Sequence, residues 1–419
     1  MTDVEAHGCE DFSCTRRRLL TGGAAVAGIA ALELAAPKLA FAQGRARGDL
    51  LVVVSLRGGA DGLSFVPPIA DHGYSANRHE IVVRPGQAIR LDRTFGLHPG
   101  LKPLLPYWRD KRLAIVQAVG DSDGSRSHFA AADAMERGVN NANSISNGWV
   151  DRHLHARGLR VGDFPSLAIG GRPPGSLTGG SPALALYDVK SLSVHVDRTA
   201  QAATAKGLGT MYAGLSGGYA DAGRGTLDAL KRLAPLTSQD YVARAGVTYP
   251  QSRLGFSLSQ IAEVARAGVG LEVATVDSYG WDTHEGMGGA TGGYMAGNIR
   301  DFGASLAAFA ADLGPLLATT TILTMTEFGR RVGQNGSGGV DHGHGSAMLV
   351  LGGGIRGGRV YGRWPGLGPK QLDQGDLAVT TDYRDVLGEI VHRRLGGVSN
   401  LSRIFPDHRP HELGLAKQR

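Results

Sequence analysis

Cysteine is nearly absent: the 419 residues contain two, Cys9 and Cys14, and both precede a run of arginines. The rest of the chain therefore depends on a packed core, without disulfides, and has no thiolate ligand or cysteine nucleophile. No Lys/Arg cluster with interleaved aromatics occurs, so nucleic acid is not an expected partner. A dinucleotide-binding fingerprint and a haem-attachment motif are also missing, which leaves a redox role without a cofactor signature. The early apolar stretch "TGGAAVAGIAALELAAPKLAFA" is interrupted by Glu33 and Lys38. It falls short of the roughly 20 residues a spanning helix requires, and no stable membrane span is expected after its removal.

Before that stretch stands Thr15-Arg16-Arg17-Arg18-Leu19-Leu20. Paired arginines, a weakly apolar Gly/Ala-rich segment and a small-residue ending are the pattern of a twin-arginine export signal. The reading is a signal over residues 1–42, cleaved after Ala42, then an exported, periplasmic domain over 43–419. Removing four Lys/Arg and five Asp/Glu moves the net charge from +6 to +7, a modest excess that suits an anionic ligand.

Glycine is abundant, with 64 residues gathered in loops rather than in a repeat. One such loop, "RGGADGLS", follows the β-branched run 49–56, which reads as a buried strand. Further strands are expected over 112–119, 164–171, 320–331 and 346–354, with another in "LEVATVDSYGWDTHEG". Helices are expected in "FAAADAMERG", stopped by Gly138, and over 253–268, 299–314 and 380–396. Between about 172 and 250 the pattern weakens, and that region reads as an insertion or cap. The fold class is α/β: a central, mainly parallel β-sheet flanked by helices.

In such sheets ligands bind outside the carboxyl ends of the strands. Here those ends carry Asp61, then Ser127 and His128, then Asp282 and His284, then Glu327, followed by Asp341, His342 and His344 in "GGVDHGHGS". Of these, Asp61, Asp282, His284, Glu327, Asp341, His342 and His344 converge from separate elements as candidate donors for a divalent metal, zinc first, with manganese, magnesium or calcium also compatible, as one ion or two, while Ser127, His128 and Arg330 are the candidate catalytic residues. Each residue taken singly has a plainer role, as a turn cap or a hydrogen-bonded side chain. Ser125 or Ser127 suits an N-cap, and Ser127 equally suits an anion site or a nucleophile. Arg330, and less so Arg57 and Arg331, is placed to clamp an oxyanion.

Several stretches together resemble a known group. "LVVVSLRGGADGLSFVPP", "SRSHFAAADAMERG", "DSYGWDTHEG", "TMTEFGRRVGQNGSGGVDHGHG" and "TTDYRDVLGEIV" are similar to the exported bacterial family called domain of unknown function 1501. That family is grouped with the alkaline phosphatase and sulfatase superfamily. The resemblance implies an alkaline phosphatase-like sheet between helices and a one- or two-metal site hydrolysing phosphate or sulfate esters. Under it, Asp61 matches the metal-binding aspartate after the first strand and Ser127 the nucleophile, while Asp282 and His284 are similar to the ligands of one metal. "TMTEFG" stands where active relatives carry an Asp-His pair. Glu327 can replace the aspartate, Phe328 cannot ligate, and His342 or His344 could supply the missing imidazole. Two readings follow: a periplasmic hydrolase of an anionic small-molecule or envelope ester, or a catalytically inactive binding or assembly protein of the envelope with protein partners unspecified.

Overall fold

In the computed structural model the described residues are 49–121, 124–158, 166–192, 198–216, 218–237 and 240–419. The expected signal over 1–42, with both cysteines, lies outside them. Strand β1 (Leu50–Leu56) is buried along its whole length. Its alternate residues serve two cores: Leu50, Val52, Val54 and Leu56 face one cluster, and Leu51 and Val53 the other. A run apolar on both faces is what a central strand between two helical layers requires.

Eight further strands join it: β2 (Leu113–Gly120), β3 (Ser166–Ile169), β4 (Leu184–Leu186), β5 (Val273–Ser278), β6 (Thr320–Met325), β7 (Ser346–Gly352), β8 (Val360–Tyr361) and β9 (Thr381–Asp382). Their order is β8-β2-β7-β6-β1-β5-β3-β4, with β9 also beside β2. All pairings are parallel except those of β7, which runs antiparallel to β2 and to β6. The expected mainly parallel sheet is therefore present. The reversal of β7 has a positional consequence: a segment preceding β7 lies at the edge where β2 and β6 end.

Helices cover both faces. Helix α1 (His128–Arg137), α2 (Trp149–Arg157) and α7 (Tyr383–Arg394) share a core with Leu51 and Val53, through Met135, Trp149, Leu154, Leu387 and Ile390. On the other face lie α5 (Arg253–Arg266) and α6 (Tyr294–Leu313), through Leu258, Ile261, Phe302 and Phe309. By length and composition α6 with its following turn would suit a membrane span. Here its apolar face is core, and each fully buried Leu, Ile or Phe of that face stabilises the fold by ~1.5–3 kcal/mol. Gly138 ends α1 at φ 65°, where its N–H reaches the carbonyls of Ala134 and Met135. The stretch expected as an insertion, about 172–250, contains the edge strand β4 and the helices α3 (Arg198–Ala213) and α4 (Gly218–Thr237). These helices pack on one another, and α4 also packs on the turn at Val189–Ser191 and on α5.

Candidate metal centre

Four connections meet at one edge of the sheet. After β1 come Gly58 and Gly59, and after β2 the chain enters α1 at His128. Asp282 and His284 follow β5, while the connection from β6 to β7 carries Glu327, Phe328, Arg330, Asp341 and His342.

Three imidazoles are held there in the same manner. His128 Nδ1 is 2.8 Å from Glu327 Oε1, His284 Nδ1 is 3.0 Å from Asp341 Oδ1, and His342 Nδ1 is 2.8 Å from the Arg126 carbonyl. An acceptor at Nδ1 selects the tautomer that carries its proton there, and so leaves a lone pair on Nε2. All three Nε2 atoms face one oxygen: Asp282 Oδ1 lies 3.5 Å from His128, 3.1 Å from His284 and 3.4 Å from His342. The Nε2 atoms of His284 and His342 are 2.9 Å apart. Among the described residues, His128, Asp282 and His342 form the group with one donor atom each within 4.8 Å, and His284 adds a fourth donor beside it.

Lone pairs facing one another repel, and a proton on one histidine would relieve one contact only. His128 Nε2 is buried and has no hydrogen-bond partner. Donors bound to one tetrahedral zinc ion at about 2.0–2.2 Å stand about 3.3–3.6 Å apart, close to the separations around Asp282 Oδ1. His128, expected as a catalytic residue, therefore joins Asp282 and His342 in a donor set that fits a divalent cation, and His284 adjoins this set beside Asp282 Oδ1 and His342 Nε2.

The electrostatics favour ligand forms. Burial alone would raise the Asp282 carboxyl, but the hydrogen bond and charge of Arg330 hold it below the ordinary carboxylate range. Hydrogen bonds from His284 and Asn335 hold Asp341 low as well. Burial pushes His342 below the usual imidazole value, the Arg126 carbonyl opposing and the charge of Arg330 adding to it. A neutral imidazole is the form that ligates.

Phe328 is 3% exposed, and its ring lies 4.8 Å from the rings of both His128 and His342. At the position where the resemblance implies a ligand, it forms an apolar wall that fixes the tilt of two imidazoles. Gly59, at φ +64°, is required by this wall, since a Cβ there would stand 2.5 Å from the Phe328 ring.

Several expected roles change. Asp61 is fully buried and turned to Arg78, whose Nη1 and Nη2 reach its two carboxylate oxygens at 2.5 and 2.9 Å, while Ser64 donates to it at 2.5 Å. Its lone pairs are committed to an ion pair, not to the cluster. Nothing in the sequence marks Arg78 as that partner. Glu327 and Asp341, expected as ligands, orient His128 and His284 from the far side of each ring. His344 points elsewhere, with Nδ1 3.2 Å from Asp373 and Nε2 2.9 Å from the Asp121 carbonyl. Arg330, expected to clamp an oxyanion, is 1% exposed and donates to the carbonyls of Gly58, Gly59 (2.6 Å), Val340 (3.0 Å) and Trp281 (3.4 Å), and to Asp282. Its directions are used in tying the connections together. Ser127 stands at the N-cap of α1, exposed and without a capping side-chain bond.

An open cleft of about 470 Å³ reaches His128, Asp282 and Glu327, and is lined also by Arg57, Asp133 and Glu136. Arg57 is bonded to Glu136 and, at 2.8 Å, to Asp277. Burial opposes the charge on Arg57, but these two carboxylates overcome it and raise its pKa above the ordinary value.

Fold and site thus define an α/β protein with a histidine–carboxylate cluster at the strand-end edge of its sheet. A family model described as "Protein of unknown function (DUF1501)" matches residues 214–395. No curated protein matches the chain. Among solved structures, the PsFucS1 sulfatase from Pseudoalteromonas sp. is similar at 13% identity, with a TM-score of 0.37, over 90% of this chain and 71% of its own. A mutant of TAB5 alkaline phosphatase with Mg bound in its M3 site is similar at 10% identity and a TM-score of 0.26, over 73% of this chain and 91% of its own.

Proposed function

We propose that this protein is an exported metal-dependent hydrolase of phosphate or sulfate esters. The observation that carries the reading is the convergence of three Nε2 lone pairs on Asp282 Oδ1, each imidazole braced at Nδ1. A divalent cation in that donor set supplies electrophilic stabilisation of charge developing on an ester oxygen. The cleft itself favours this requirement: Asp133, Glu136, Asp282 and Glu327 line it, and Arg57 is already paired. Without added positive charge, such a cleft offers an anionic ester no unpaired cation among its lining residues. Ser127 adjoins His128 with its side chain exposed to the solvent at the start of α1, and is the candidate nucleophile. Export rests on the Arg16-Arg17 pattern and periplasmic location follows from it.

The test is elemental analysis of purified protein combined with a screen of aryl phosphates, phosphodiesters and sulfates. About one equivalent of tightly held divalent metal is expected, lost in Asp282→Ala and His342→Ala. Ser127→Ala should retain the metal and lose turnover. A folded protein that binds no divalent metal would sink the proposal.

A second reading, an inactive binding protein of the envelope, draws on Arg330. Its guanidinium already bonds the Asp282 oxygen on which the histidines converge. Retained metal with no turnover across the whole screen would favour this reading.

A further inference from the structure

We infer that Phe129 and Tyr279 form a ring-binding wall in the cleft, so that the ligand carries a ring beside its anionic group; the inference rests on the reading above only for where that anionic group sits. Phe129 is 91% exposed and Tyr279 49%, and both line the cleft that reaches His128 and Asp282. Helix α1 buries Ala131, Ala134 and Met135 against the core. Its outward face, Phe129, Ala132, Asp133 and Glu136 at i, i+3, i+4 and i+7, lines the cleft instead. A large aromatic exposed on a helix, one residue from a candidate ligand, leaves apolar area that a bound ring would cover.

Tyr279 is held in place to meet such a ring. Its hydroxyl donates to Asp277 at 2.9 Å, and the Arg253 guanidinium stands 4.9 Å from its ring centroid. The acids of the wall are neutralised, Asp133 by Arg137 at 2.7 Å and Glu136 by Arg57. The ligand class is a phosphate or sulfate ester whose alcohol part is an aryl or sugar ring, since both present a face that stacks on an aromatic.

The test is calorimetric binding of phenylphosphonate, a hexose phosphonate and methylphosphonate to the zinc-loaded mature protein. A ring-bearing probe should bind about three- to tenfold more tightly than methylphosphonate. That preference should collapse in Phe129→Ala and return in Phe129→Tyr, and the two ring probes separate an aryl from a carbohydrate ligand. Equal binding of all three probes, a ring preference untouched by Phe129→Ala and Tyr279→Ala, or no binding of any probe would overturn the inference. Ring preference in a protein that hydrolyses no ester would sink the hydrolase reading and leave this one standing.

Discussion

Asp61 and Asp282 are the same residue type, each in a polar loop after a strand, and they do opposite work. Asp61 faces a buried guanidinium that takes both its oxygens, whereas Asp282 shares one oxygen with three imidazoles and Arg330. Glu327 and Asp341 differ again, because each accepts at the Nδ1 side of a histidine and so acts through it. Glu327→Gln and Asp341→Asn should therefore each weaken zinc affinity about 10- to 100-fold while leaving the protein folded, as followed by chelator competition. Unchanged affinity in both variants would mean that the Nδ1 contacts do not orient the ligands. The residue types of the site were legible in "DSYGWDTHEG", "TEFG" and "DHGHG". Their division into ligand and brace was not, because it depends on which ring nitrogen faces which oxygen.

The β6–β7 connection explains why one loop holds so much of the site. Its two strands are antiparallel neighbours, so both its ends, Glu327 and His342, return to the same edge. The connection after β1 is fastened to it in two ways: Arg330 binds the carbonyls of Gly58 and Gly59, and Arg78, bonded to Asp61, reaches the carbonyls of Arg331 and Val332. Removing one partner of a buried ion pair leaves the other charge uncompensated, at a cost of ~3–5 kcal/mol. Asp61→Ala should lose about that much in urea unfolding and still bind its metal. Loss of metal from a protein of parental stability would restore Asp61 as a ligand. Burial tends to raise the Asp61 carboxyl, but Arg78 and Ser64 hold it below 3.8. Its contribution is therefore present above the unfolded value and is lost as pH falls through the folded one.

Across the whole molecule, acid sensitivity should come earlier than Asp61 titrates. Burial, with the charges of Arg300 and Arg157, pushes His98 down to about 4 and His153 down to about 3 from an ordinary 6.5. Below pH 6.5 the unfolded chain binds protons at these positions that the folded chain does not, so stability falls as pH drops through that window. Glu263, pushed up to about 7 by burial and Asp188, works the other way between 4.5 and about 7. The loss of Tm between pH 7 and pH 5 should be smaller in His153→Leu and larger in Glu263→Gln. Thermal melts at the two pH values measure both, and the opposite order would overturn the assignment.

Strand and helix positions followed from the sequence because apolar periodicity and glycine stops are local: β1, β2, α1 and α7 lie within a few residues of where the pattern puts them. Local pattern also marked which loops are polar at the sheet edge. The tertiary structure decided what those loops become. The reversal of β7, the Asp61–Arg78 pair and the Phe328 wall each join residues far apart in the chain, through strand order and register that no local period encodes. The donor set around Asp282 exists because three separate connections reach one edge together, and that meeting is a property of the folded sheet alone.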